Sequence, residues 1–236
     1  RDPENRRGDI KAQIATVNYA EKRILELLER YGKHTVLDAV EAVKDYSERR
    51  IRDGLARIPE GTYVSEDWMD GDGHETRPIR FHLSATVKDR GIKLDFTGSD
   101  PQVKGAINAP ISVTSAAAWF GVKSVTDPYA PPNHGCYRPV EIITRKGSVV
   151  DSAFPAAVAS ANSETCYRVL DCVLKALAEA TPEKTAGSYG TMCSNVSSGV
   201  DLRSGKPFIF VENYCGGWGA TIDRDGRSGM KFGMSN

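Results

Sequence analysis

The sequence predicts an α+β protein: a helical hairpin followed by mixed, mainly antiparallel sheet elements with packed helices. Apolar residues recur at helical spacing up to Pro59, and from Gly61 onward they alternate with polar ones, as in a half-buried strand. Further helical patterns then follow the alternating segments, which is typical of helices packed on a sheet. We therefore expect a helical hairpin over residues 1–59 and an α+β domain over residues 60–236.

The first two helices are predicted from apolar stripes. In the first helix the stripe recurs at three- and four-residue steps and consists of Ile10, Ile14, Val17, Ala20, Ile24, Leu28 and Tyr31. Gly32 suits the C′ position after this helix, and Thr35 suits the N-cap of the second. The second stripe consists of Val36, Val40, Val43, Ile51 and Leu55. Apolar faces of this kind need a partner surface, in this chain or in another subunit.

Two β-hairpins are predicted further along. In the first, residues 79–87 alternate apolar and polar side chains, and the alternation resumes at 92–96 after a turn at 89–91. A shorter hairpin is predicted to join residues 140–144 to 148–150. Helices are predicted over residues 111–125 and 163–181, the latter capped by Asn162 or Ser163, and a strand over 208–211.

Composition excludes several classes of function. The chain has 236 residues, with 31 Lys+Arg and 31 Asp+Glu, so it has no excess positive charge to attract nucleic acid, and no basic stripe with interleaved aromatic residues is present in the sequence. The apolar runs fall far short of the roughly 20 residues that cross a bilayer. The five cysteines include no C-x-x-C pair and are typical of a reducing compartment, so we expect a cytoplasmic protein.

The loop over residues 131–136 (PPNHGC) is the first candidate site. Its prolines and glycine hold polar side chains in one geometry. His134 and Cys136 are candidate catalytic residues, since a histidine beside a cysteine is suited to act as its base, and Asn133 is a candidate for substrate contact. The alternative is a structural or merely substrate-facing loop.

Two other loops are candidates for substrate binding. Ser99 and Asp100 lie in a polar loop that leaves a buried strand, where an Asx-type turn is the alternative. In the glycine-rich segment, Gly216, Gly217 and Gly219 are suited to present backbone N–H groups to an anion or oxyanion, and close backbone packing is the alternative.

Motifs for nucleotides and metals are missing from the sequence. It contains neither G-x-G-x-x-G nor the phosphate loop G-x-x-x-x-G-K-[ST]. No pair of its four histidines has zinc-site spacing, and the acidic run at 66–74 lacks EF-hand spacing, so no metal ligand is assigned.

Taken in order, the motifs resemble one family, the B-type subunits of hydantoinase/oxoprolinase enzymes and the related acetone/acetophenone carboxylases. The helical part contributes RGDIKAQIA over residues 7–15 and YSER over 46–49. The remaining motifs are IPEGTY (58–63), DGDG (70–73), DFTGSDPQ (95–102), NAP (108–110), PNHGCYRP (132–139), KGS (146–148), PAAV (155–158), GGWG (216–219) and DGRSG (225–229).

The resemblance implies an ATP-dependent hydrolase of cyclic amides that works in a hetero-oligomer. An A-type subunit or domain would bind ATP and phosphorylate the small-molecule substrate, and the B-type part would complete the reaction. The resemblance also implies a divalent metal whose ligands lie upstream of this chain, which we expect to continue beyond both ends. Two alternatives remain open: an ATP-dependent ketone carboxylase, and a non-catalytic assembly segment.

Overall fold

A computed structural model describes residues 3–188, 193–214 and 216–229. The helices are α1 (Pro3–Tyr31), α2 (Lys33–Leu55), α3 (Ile111–Thr126) and α4 (Cys166–Ala178). The strands are β1 (Gly61–Met69), β2 (Ile79–Lys88), β3 (Gly91–Asp95), β4 (Val140–Ile143), β5 (Cys193–Val200) and β6 (Pro207–Tyr214). No helix among these ranges combines the length and the apolar character that a membrane span requires.

The strands form two sheets. The larger one has the order β1-β2-β3-β4, with antiparallel pairs except for the parallel pair β3–β4, and the smaller one pairs β5 with β6 antiparallel. This confirms the predicted α+β class and its mixed, mainly antiparallel sheet. It also confirms the strand predicted over 208–211, which lies within β6.

The core lies between one face of the larger sheet and helices α3 and α4. Alternate side chains of β2, such as Phe81 and Leu83, are fully buried, as are Val173 and Leu177 of α4. Burying each such side chain stabilises the fold by roughly 1.5–3 kcal/mol. Helix α2 adds Ile51 and Leu55 to the same cluster. A domain division at residue 59 stays a prediction, because the core is shared across that point.

The hairpin β2–β3 has the predicted position and a tight turn. Lys88 pairs with Gly91, so the loop is two residues long. Asp89 and Arg90 in that loop both have positive φ, 50° and 59°, as a type I′ turn requires. This turn matches the right-handed twist of the two strands and fixes their register.

Three local predictions are wrong. Thr35 does not cap α2, because the helix already begins at Lys33, directly after Gly32 with its φ of 80°. Residues 148–150 are not a strand paired with β4, because β4 pairs in parallel with β3 and Ser148 makes only isolated bridges. Neither Asn162 nor Ser163 caps α4, because one π-helical turn, Ala161–Thr165, leads into it. Helix α3, in contrast, begins and ends within one residue of its predicted bounds.

Helix α1 extends away from the larger sheet and the helices packed on it. None of its residues is buried, and only Glu26 and Leu28 are even half-buried. The hairpin β5–β6 is similarly exposed, including Phe208, Ile209 and Val211. Both elements therefore keep large apolar side chains on the surface.

Candidate functional site

The loop that carries His134 is fixed against helix α2. The Asn133 side chain accepts a hydrogen bond from Gly135 N (2.8 Å) and donates to Ser47 Oγ (2.7 Å). Gly135 approaches α2 so closely that a Cβ there would lie 1.9 Å from the Lys44 carbonyl oxygen. Arg138 then binds the carboxylates of α2, at 2.7 Å from Asp45. The amide of Asn133 is thus engaged within the protein.

His134 and Cys136 occupy one short 3-10 turn, His134–Tyr137, but in different environments. His134 is exposed, whereas Cys136 is 2% exposed and its Sγ donates to the Pro131 carbonyl at 3.2 Å. No hydrogen bond joins the two side chains in the described parts of the chain. A nucleophile–base pair needs such contact, so their catalytic role stays a prediction that the geometry does not favour.

Two other thiols are held protonated by their surroundings. Burial raises the pKa of Cys166 to about 11 and that of Cys172 to about 12. At neutral pH both groups are thiols rather than thiolates, and the thiol is the unreactive form. Neither is a candidate nucleophile. Cys215, in the glycine-rich segment, lies outside the described residues.

Ser99 and Asp100 connect the loop after β3 to strand β2. Ser99 is buried, and its Oγ accepts from His82 N (3.1 Å) and donates to His82 O (3.2 Å). The Asp100 carboxylate accepts from Arg80 N and from the Arg77 guanidinium, both at 3.1 Å. Their predicted substrate contact therefore has to compete with these internal hydrogen bonds.

These two candidate loops lie at opposite ends of the parallel pair β3–β4. Ile92 N, at the start of β3, donates to Pro139 O just after the His134 turn. Phe96 N, just past the end of β3, donates to Ile143 O at the end of β4. The structure does not bring His134 and Cys136 together with Ser99 and Asp100.

The glycine-rich segment folds back on itself and packs on the body. Gly217, with φ of 119°, bridges to Ser228, and a Cβ on Gly219 would lie 2.3 Å from the Gly187 carbonyl group. Trp218 packs against the buried ring of Tyr167. Gly217 and Gly219 are required for these close backbone contacts, whereas Gly216 is exposed. Anion binding by the three glycines stays a prediction.

A charged cluster that sequence reasoning missed lies beside this segment. Arg168 on α4 contacts Asp67 of β1 at 2.9 Å and Asp171 at 3.0 Å, and all three side chains are at most one quarter exposed. Ser188 Oγ donates to Asp171 at 2.7 Å. The spacing of Arg168 and Asp171 on α4 is readable from the sequence, but their contact with Asp67 depends on the packing of α4 on the sheet.

The two carboxylates face an open cleft of about 610 Å³. Its other walls come from Lys175, residues 185–188 and residues 220–222. Burial raises the pKa of Asp171, although Ser188 and Arg168 oppose the shift. A carboxyl group in a cleft whose pKa is raised by burial is a candidate for proton transfer. This cleft is the candidate functional site.

Hydrogen bonds to Asp72 hold the acidic run at 66–74 in place. Asp72 accepts hydrogen bonds from the backbone N–H of Glu75, Gly105 and His74, which lower its pKa to about 2. In the described ranges, no group of three or more His, Cys, Asp or Glu side chains is placed to hold a metal ion. The described residues therefore do not provide the ligand set of a resident metal.

The fold is shared with two ATP-dependent enzymes of known structure. Caprolactamase from Pseudomonas jessenii matches with a TM-score of 0.78 at 24% identity, over 87% of this chain and 36% of its own. Acetone carboxylase matches with a TM-score of 0.77 at 17% identity, over 94% of this chain and 32% of its own. At these identities the likeness shows the fold alone.

The sequence comparison defines the family. The model of the Hydantoinase B/oxoprolinase family matches residues 1–236. The protein 5-oxoprolinase 1 from Arabidopsis thaliana is 34% identical over 245 residues, covering 97% of this chain and 18% of that protein. The chain belongs to the Hydantoinase B/oxoprolinase family, and it spans well under half the length of the relatives that it matches.

Proposed function

We propose that this chain is the B-type portion of an ATP-dependent hydrolase of cyclic amides. The observation that carries the proposal is the family match over residues 1–236. The likeness in fold to caprolactamase, whose name describes a lactam substrate, supports it. Location in the cytoplasm is part of the proposal.

The chemistry explains why ATP would be consumed. A lactam carbonyl resists attack by water, and its ring nitrogen is a poor leaving group. Transfer of the γ-phosphoryl group of ATP to the lactam oxygen releases ADP, and loss of the N–H proton leaves an imidoyl phosphate whose carbon is electrophilic. Water adds to that carbon, the C–N bond breaks as the ring nitrogen takes up a proton, and hydrolysis of the resulting acyl phosphate releases inorganic phosphate and the ring-opened product. Following the family resemblance, we assign ATP binding and the phosphoryl transfer to an A-type partner subunit or domain. Any metal ligands are assigned to residues outside this chain.

Within the chain, we assign substrate contact to the cleft beside α4. Its volume of about 610 Å³ lies within the range of small-molecule sites, roughly 300–1,000 Å³. Lys175 donates one N–H to the Glu66 carbonyl at 2.9 Å and keeps further N–H groups that are suited to bind the amide oxygen. The Ser188 oxygen, whose proton is donated to Asp171, is suited to accept from the amide N–H, and Asp171 to exchange a proton with the substrate. Residues 220–222, which directly follow the glycine-rich segment, form part of the surrounding wall.

An active-site variant tests this assignment in the assembled full-length enzyme. Asp171→Asn is expected to lower kcat by about 100-fold or more and to change KM little, as for the loss of a proton-transfer group. Asp38→Asn, at an exposed position on α2 and away from the cleft, is the matched control and should leave both constants unchanged. An Asp171→Asn enzyme with normal kcat would remove the cleft from the proposal.

The carboxylase is the second candidate function, favoured by the likeness in fold to acetone carboxylase. ATP turnover by the full-length protein with its A-type partner separates the two reactions. A hydrolase turns over ATP with hydantoin or 5-oxoproline alone. Turnover that requires both a ketone and bicarbonate identifies the carboxylase.

A non-catalytic assembly role is favoured by one observation, the exposed apolar surface of α1. Alanine replacements at Ser99, Asn133 and His134 address it together with Asp171→Asn. If turnover and assembly remain unchanged in all of these variants, the chain is an assembly segment.

A further inference from the structure

Arg168 holds two carboxylates at the edge of the candidate cleft. Its two terminal nitrogens lie 2.9 Å from Asp67 Oδ2 and 3.0 Å from Asp171 Oδ2. The side chains of Arg168, Asp67 and Asp171 are 16%, 25% and 10% exposed, so water screens these contacts only in part. Because the donors of a guanidinium form a rigid planar fork, they fix both carboxylates relative to α4.

The two carboxylates differ in which of their oxygens are engaged. Asp67 accepts from the Trp68 backbone N–H through Oδ1, at 2.8 Å, and meets Arg168 through Oδ2. In Asp171, Arg168 and the Ser188 hydroxyl, the latter at 2.7 Å, both engage Oδ2. Within the described part of the chain, no hydrogen bond reaches Asp171 Oδ1. Asp171 therefore keeps one oxygen available to a molecule in the cleft, whereas both oxygens of Asp67 already have partners.

Two charged neighbours act on Asp171 in opposite directions. Burial raises the pKa of the Asp171 carboxyl, and the Ser188 hydroxyl and the Arg168 guanidinium oppose this rise. The negative charge of Asp67 adds to it. Loss of Arg168 and loss of Asp67 must therefore move the titration of Asp171 in opposite directions.

The other titratable groups near this cluster lie on α4 or on the turn before it: Glu164, Cys166, Cys172 and Lys175. Burial keeps both thiols protonated at neutral pH. The cleft walls formed by residues 185–188 and 220–222 contribute no charged side chain. Among the described residues, Arg168 is the one cation in ion-pair contact with Asp171.

We propose that Arg168 is a positioning residue of this cleft: anchored to β1 through Asp67, it holds Asp171 so that Oδ1 faces the reacting amide. The proposal rests on the proposed function, in which Asp171 exchanges a proton with the substrate. Oδ1 accepts a proton from the attacking water and returns a proton to the ring nitrogen as the C–N bond breaks. Arg168 touches no reacting atom and acts through Asp171 alone.

The pH dependence of kcat/KM tests this role in the assembled full-length enzyme with hydantoin or 5-oxoproline. Asp171 must be ionised to accept the proton, so kcat/KM rises with pH through the pKa of that group. Arg168→Met is expected to move this rise about one unit to higher pH, because a neighbouring cation is lost. Asp67→Asn is expected to move it to lower pH, because a like charge is lost.

Arg168→Lys separates charge from geometry. It keeps the positive charge, so the rise in kcat/KM should stay at the wild-type pH. One ammonium does not fix both carboxylates as the guanidinium does, so kcat should still fall about 10-fold or more. This variant and Asp67→Asn decide the question even where Arg168→Met fails to assemble.

Arg50→Met is the matched control, because Arg50 also binds one carboxylate with two nitrogens, that of Asp127, outside the cleft. It should leave the pH of the rise unchanged. The proposal is overturned if Arg168→Met and Asp67→Asn leave the rise in place, or move it in the same direction, while Asp171→Asn still lowers kcat. It is also overturned if Arg50→Met shifts the rise as Arg168→Met does. A normal kcat in Asp171→Asn would instead remove the proposed function of the cleft, and the role of Arg168 with it.

Discussion

Gly135 allows the His134 loop to lie against helix α2, so replacing it with alanine tests whether that contact stabilises the fold. The added Cβ would lie 1.9 Å from the Lys44 carbonyl oxygen, whereas ordinary contact begins at about 3.4 Å. The neighbour is backbone in the middle of a helix and cannot rotate away. We therefore expect the loop to move outward by about 1.5 Å.

Such a movement breaks the hydrogen bonds that hold the loop. Asn133 Nδ2 to Ser47 Oγ at 2.7 Å and Ser47 Oγ to Pro131 O at 3.2 Å both become too long. Each is worth about 1 kcal/mol, and the steric conflict adds roughly 1 kcal/mol. The free energy of unfolding should fall by about 3 kcal/mol, which lowers Tm by roughly 6–12 °C in a chain of this size.

Urea and thermal unfolding, followed by circular dichroism, measure this loss. Gly61→Ala is the matched control, because the nearest atoms to its Cβ lie 4.0 Å away. The control should stay within about 0.5 kcal/mol of the wild type. If Gly135→Ala is as stable as Gly61→Ala, the loop does not depend on its contact with α2 and the reasoning fails.

Three further predictions concern buried polar groups and the glycine-rich segment. Asn108→Ala should lower the free energy of unfolding by about 3 kcal/mol or more in urea titrations, because the two N–H bonds of its fully buried amide are shared among three carbonyl oxygens. A loss under 1 kcal/mol would contradict this. Because burial raises the pKa of Asp171, its stabilising contribution is present below its unfolded pKa, near 3.9, and is lost as pH rises through the folded value. The stability of wild type should therefore fall relative to Asp171→Asn as pH rises through that window, and a constant difference would refute the assignment. Gly219→Ala should push the segment away from Gly187 and alter the fluorescence of Trp218, whereas an unchanged spectrum would speak against the close contact.

Local periodicity was sufficient for the elements whose partners are close in sequence. The alternation over β2 and β3 identified both strands and their turn, because a hairpin pairs neighbours. Strand β4 pairs instead with β3, about 50 positions earlier, and in parallel. The pattern of neighbouring residues contains no information about a pair so far apart in sequence. The turn at Lys146-Gly147 therefore suggested a hairpin that does not form.

Residue type alone identified polar positions in the loops but not what they contact. Asn133 and Ser99 stood out in the sequence, and the structure shows their polar atoms bound to α2 and β2. A side chain that anchors a loop and one that binds a substrate can be of the same residue type, so the residue type does not distinguish the two roles. Arg168, in contrast, was missed because Asp67, its partner on β1, is a hundred residues away.

ATP turnover by the full-length protein with its A-type partner tests the central claim most directly. We predict that ADP release depends on a cyclic amide, hydantoin or 5-oxoproline, and that it needs no bicarbonate. ADP release that occurs only with a ketone and bicarbonate together would contradict the proposed hydrolase and identify a carboxylase.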